Sequence, residues 1–144
     1  MSKAKAIGTR AETAVRNYLL SAGYDELEAH RNVLSGSQDQ GDVWLREPTR
    51  GLIVFELKGG NAAKNASYEQ CLKWFKETEK EKKHAGANFG FLVTQRAGVG
   101  YPRAGQWWAY AALGDLLTLR SGVRIDDSTF VRITLEDLVG LFNG

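Results

Sequence analysis

Residues 52–58, Leu-Ile-Val-Phe-Glu-Leu-Lys, constrain this chain more than any other stretch. They open with apolar and β-branched side chains on both faces, as a strand in the middle of a sheet does. Alternation sends Leu52, Val54, Glu56 and Lys58 to one face and Ile53, Phe55 and Leu57 to the other. The first charges therefore arrive late, two residues apart, on one face and at the strand's exit. Left unpaired in a sheet, each would cost roughly several kcal/mol. Paired with each other they form a structural ion pair; joined by further acids they form a site.

The rest of the chain supplies elements to build around that strand. Gly8-Thr9 followed by Glu12 predicts a helix over 8–22 with an inward stripe of Ala11, Val15, Tyr18, Leu19 and Ala22. Glu12 has two readings, a capping-box acid or an inward-leaning ligand, and on this segment alone the cap is favoured. Leu27–Leu34 reads as a first strand. A polar loop, Ser35-Gly-Ser-Gln-Asp-Gln-Gly41, delivers Asp42 to a second strand over 43–46. After the turn from Pro48 to Gly51, strands this close in sequence form an antiparallel meander, with Asp42 and Glu56 at one edge. A helix over 64–84 then carries Gln70, Cys71, Trp74 and Phe75, with a mixed Lys/Glu run read as a solvated face. The strand over 88–95 returns parallel to the organising strand. A Gly-rich loop over 97–105, a strand over 107–113, a short helix over 115–119, a strand at 131–133 and a Thr134-capped helix over 135–142 complete the chain. The expected fold is one α/β domain, a central mixed sheet flanked by helices.

Composition narrows the class. At 144 residues there is room for one good core. No apolar run reaches the roughly 18 residues of a membrane span, and no secretory signal is visible, so a cytoplasmic protein is expected. Cys71 is alone, which excludes an internal disulfide; beside Trp74 and Phe75 it reads as a small buried hydrophobe. The net charge of +2 makes no case for nucleic acid by itself, so that case rests on the site.

Glu12, Asp42 and Glu56 come from a helix and two strands, with Lys58 beside the last. Three carboxylates together repel unless one is protonated or a cation neutralises them. Hard oxygen donors without His or Cys suit Mg²⁺, with Mn²⁺ as a substitute. Such an ion polarises a phosphodiester, and Lys58 can orient water or steady the developing charge.

Asp42 followed by Glu56-Leu57-Lys58 across a hairpin resembles the Asp…(Asp/Glu)-X-Lys signature of the restriction-endonuclease-like nucleases. The order of elements over 8–95 is similar to that superfamily's αβββαβ core. Gly8-Thr9-Arg10-Ala11-Glu12 and Ser35-Gly36-Ser37 most resemble the archaeal-type Holliday junction resolvases. The resemblance implies Glu12, Asp42 and Glu56 as metal ligands, Lys58 as the catalytic lysine and Gln70 as an auxiliary residue. It also implies Arg10, Arg31, Ser35 and Ser37 as DNA contacts, and a homodimer that cuts branched DNA. The sequence departs from the family at Gln38-Asp39-Gln40-Gly41, which replaces a proline. Asp39 is the alternative ligand there; Asp42, abutting the apolar strand, is preferred. Residues 97–144 match no motif, and Trp107, Trp108 and Tyr110 serve either a dimer interface or the core.

Overall fold

The computed structural model describes residues 3–32 and 42–142. The organising strand, β3 (Gly51–Lys58), is third in a six-stranded sheet whose strands lie side by side in chain order. Helix α1 (Lys3–Ser21) leads into β1 (Ala29–Asn32), β2 (Asp42–Glu47) and β3, paired antiparallel as the short connections predict. Helices α2 (Gly60–Lys64) and α3 (Tyr68–Ala85) cross over to β4 (Phe89–Thr94), which runs parallel to β3. Antiparallel strands β5 (Trp108–Ala112) and β6 (Phe130–Thr134) follow, with α4 (Leu113–Ser121) between them and α5 (Leu135–Phe142) after them. The protein is thus α/β, a mixed sheet packed against helices. No helix among the described residues is long and apolar enough to cross a membrane.

The two faces of the sheet carry different layers. Val43, Leu45, Ile53, Phe55 and Phe91 pack against Ala11, Val15 and Leu19 of α1, Leu116 and Leu119 of α4, and Leu138 and Phe142 of α5. Each fully buried Val, Leu, Ile or Phe among them contributes roughly 1.5–3 kcal/mol. On the other face α3 lays Cys71 and Phe75 over Leu92 and Tyr110. Cys71 is the buried small hydrophobe expected, its thiol 3.4 Å from the Tyr110 hydroxyl.

Several boundaries differ from expectation for local reasons. Helix α1 begins at Lys3, not Gly8, because Ile7 continues the apolar stripe onto the backbone at Gly59 and Gly60. A Cβ on Gly60, whose φ is +77°, would come within 3.0 Å of Ile7 Cγ2. Thr9 and Glu12 therefore lie inside the helix, and the capping reading of Glu12 fails. Ala22 falls beyond the helix end and is exposed. β1 starts at Ala29, since Asp25 accepts the Leu27 and Glu28 amides in a turn; Val33 and Leu34 lie outside the described residues. The single helix expected over 64–84 is two, because Ser67 caps α3 by accepting the Gln70 amide at 3.1 Å. Inside the Gly-rich loop Tyr101–Gln106 forms a 3₁₀ turn. Trp107 is wholly buried and donates to the Val99 carbonyl at 2.9 Å, and Tyr110 is buried too, so both belong to the core. Thr134 caps α5 as expected, accepting the Asp137 amide.

One glycine in the C-terminal half is required by close approach. Gly114 donates to the Asp127 carbonyl at 2.9 Å, and a Cβ there would run into the Ile125 carbonyl and the Asp127 amide. Backbone cannot step aside as a side chain can. Gly114→Ala is expected to cost about 2–3 kcal/mol in urea unfolding; an unchanged midpoint would show that the 122–129 segment yields.

Candidate active site

Directly paired residues of neighbouring strands project to the same side of a sheet. Asp42 pairs with Glu56, Glu56 with Leu92, and Lys58 with Thr94, so both acids and the lysine share the α3 face. All three are more than nine-tenths buried. The hairpin alone produces this: Asp42 opens β2 where Glu56 nears the end of β3. Lys58 Nζ lies 3.3 Å from Glu56 Oε1 and 5.5 Å from the centre of the Trp74 ring. The other Glu56 oxygen accepts from Thr78 Oγ1 at 2.7 Å. Glu56 is thus held in one orientation from both sides, by a cation on its own strand and a hydroxyl on α3.

The site is short of positive charge. Burial pushes the Glu56 carboxyl up, and Thr78 and Lys58 offset this only in part, with Glu77 adding like charge. Asp42 is pushed further, to about 8, first by burial, then by Glu81, Glu56 and, more weakly, Glu12. Glu81, on α3, is thus the like charge that bears most on Asp42. Glu81 was expected on a solvated face. Its signal lay in the spacing of Cys71, Trp74, Thr78 and Glu81, which follows one stripe of α3 toward the sheet.

Glu12 is placed differently. It is buried on α1, on the other side of the sheet, and Arg31 Nε donates to its Oε1 at 2.9 Å. Arg31 pairs with Val43, whose side chain points into the α1 layer. The acids therefore straddle the sheet end. Among the described residues no three of Asp, Glu, His and Cys gather as one metal-holding group, so the expected trio of Glu12, Asp42 and Glu56 is not assembled. The Asp42–Glu56 pair does fit Mg²⁺ or Mn²⁺. Mg²⁺ commonly takes one or two carboxylates together with waters and phosphate oxygens. Two buried carboxyls facing each other with raised pKa values are also a donor set that a divalent cation would relieve.

The remaining expected residues divide. Arg31 neutralises Glu12. Arg10 is exposed and stacks over Tyr101 at 4.4 Å, on a groove beside α1 lined also by Thr13 and Asn17. Gln70 stands one turn before Trp74 on α3, and its backbone amide is bonded to Ser67. Ser35, Ser37 and Asp39 lie outside the described residues. The glutamine tied to the strand end is Gln95, which the sequence reading did not single out. It is buried, its amide donates to the Lys58 carbonyl at 2.9 Å, and its Oε1 accepts from the Gly60 amide at 2.9 Å. Gln95 thereby fixes the backbone that carries Lys58.

Protein-family models, curated proteins and solved structures were all compared with this chain, and none matches.

Proposed function

We propose that this protein is a magnesium-dependent endodeoxyribonuclease with a restriction-endonuclease-like core, acting as a homodimeric resolvase of branched DNA. The observation that carries the reading is the register that sets Asp42 against Glu56, with Lys58 bonded to Glu56 from the same strand. An Asp and an E-X-K triplet on paired strands is the arrangement the sequence resemblance implies. Asp42 and Glu56 would hold the Mg²⁺, which when bound supplies a Lewis acid to the phosphate and an acidified water.

The chain's own residues do the rest. Lys58, buried beside Trp74, places an ammonium where charge develops on the phosphate and can orient the attacking water. Thr78 and Lys58 hold Glu56 still, which limits reorganisation during the reaction. Asp42, its carboxyl raised by burial and by the Glu81 and Glu56 charges, must give up a proton before it can act as a ligand. Symmetric cutting of a four-way junction needs two such sites, which a C₂ dimer provides.

The test is to incubate the protein with four-way junction, flap, linear duplex and single-stranded DNA, with and without Mg²⁺. Paired symmetric nicks confined to the junction are expected. Cutting of linear duplex would instead select a nicking, restriction-type or exonuclease activity, and no Mg²⁺-dependent cutting of any DNA would remove the nuclease reading.

A further inference from the structure

The α3 face of the sheet continues past the acids into a basic patch built on one tryptophan. Thr94, which pairs with Lys58, pairs on its other side with Trp108 of β5. The Arg96 and Arg132 guanidinium carbons lie 4.0 Å and 3.9 Å from the centre of the Trp108 ring. Arg96 follows β4 and Arg132 lies on β6, the two strands that flank β5, so the two cations reach the Trp108 ring from either side of its strand. Neither arginine has an acidic ion-pair partner among those seen in the described residues. Together with Lys64, Thr94 and Gln95 they line a pocket of about 240 Å³.

We infer that this Arg96–Trp108–Arg132 stack is a clamp for successive phosphates of the DNA strand that enters the acid site. The inference rests on the reading that the protein acts on DNA. Three features give the clamp its chemistry. Stacking fixes each guanidinium plane; Arg96 gives one N–H to the Gln106 carbonyl at 3.2 Å, and the donors that remain at the edges grip phosphate oxygens. With two guanidinium groups held against the Trp108 ring, the clamp offers cations and not a free stacking platform, so it reads backbone charge and not sequence. Trp108 lies two strands from Lys58, about 10 Å at the usual strand spacing. A strand whose reacting phosphate sits at Lys58 therefore passes its neighbouring phosphates over the stack.

The experiment measures binding of fluorescently labelled four-way junction and single-stranded DNA by anisotropy, in metal-free buffer, over a series of salt concentrations. Arg96→Gln, Arg132→Gln and the double variant are compared with wild type and with Arg120→Gln, an exposed position on α4. Each clamp substitution is expected to weaken binding several-fold. Each should also reduce the slope of log affinity against log salt by about 0.7–0.9, and the double variant by about twice that. Arg120→Gln and Arg132→Lys should keep the wild-type slope. Arg132 is exposed, so Arg132→Gln carries the test alone if Arg96→Gln proves unfolded. A double variant with the wild-type slope overturns the clamp, as does an equal loss in Arg120→Gln. If wild type cleaves junctions while the double variant keeps its slope, the clamp alone is wrong. If the clamp variants lose slope but no DNA is cut with Mg²⁺, the nuclease reading alone is wrong.

Discussion

Glu56→Gln is expected to lower Mg²⁺-dependent cleavage by about a thousandfold, and Lys58→Ala by about 10²–10³. The first loses a charge from the pair that would hold the ion, worth several kcal/mol at roughly 1.4 kcal/mol per tenfold in rate. The second removes the ammonium that, on the proposed mechanism, would meet the developing phosphate charge. Both variants should still bind junction DNA. The two residues also form an ordinary buried ion pair, with Nζ 3.3 Å from Oε1, and breaking such a pair is destabilising by itself. The two roles separate cleanly. Glu56 already has a raised pKa, so in Lys58→Ala it can take up a proton and limit the damage to roughly 1–3 kcal/mol. If the pair is only structural, the loss of cutting follows the loss of folded protein, and the double variant Glu56→Gln/Lys58→Ala recovers both. If the pair is catalytic, every variant that remains folded at the assay temperature is still inactive. Folded fraction by circular dichroism and nicking of a labelled junction, measured on the same samples, decide it.

Asp42→Asn should make the protein more stable and less active. The Asp42 carboxyl is raised from 3.8 to about 8 in the folded chain, so between those values the folded state holds a proton that the unfolded state has released. Stability contributed by that bound proton is complete below about pH 4, falls as pH rises and levels off above about pH 8. A neutral asparagine escapes this decline. The advantage of Asp42→Asn in urea unfolding should therefore be small near pH 4, reach about 2–4 kcal/mol at pH 7 without divalent cations, and level off above pH 8. Mg²⁺ should raise the unfolding midpoint of wild type but not of the variant, because on the proposed reading only the carboxylate would serve as a ligand. Cleavage should be lost. Asp39→Asn should change neither quantity, and the reverse pattern would transfer the ligand role to Asp39. A variant no more stable than wild type at any pH would mean that Asp42 is not held protonated. Retained cleavage would remove it from the site.

Much of the geometry is local enough to be legible in residues 42–58. A run of apolar residues with charges only at its end must lie inside a sheet, and a short turn must pair it antiparallel with the strand before it. Those two facts place Asp42 opposite Glu56, and period-2 alternation puts Lys58 on the same face. The parallel return of β4 follows equally from the helices that intervene. One boundary error was avoidable: Ser67 with Gln70 three residues on is a capping signal, and it divides the long helix in two.

Other features depend on which layers meet. Whether Glu12 caps a helix or is buried depends on Ile7 finding the Gly59–Gly60 backbone, a contact between distant segments. That Glu12 meets Arg31 and not the Asp42–Glu56 pair follows from α1 lying on the opposite face from α3. Glu81 bears on Asp42 only because α3 lies across β4 and β3, the latter the strand paired with β2. The cations around Trp108 come from the end of β4 and from β6, which nothing in their own sequence brings together. The sequence by itself determined the central strand, its antiparallel neighbour and the pairing of Asp42 with Glu56, because steric alternation and short turns act over a few residues. Only the tertiary structure decided which charges reach that pair, because helix docking is driven by apolar burial, which is non-directional and carries polar side chains with it.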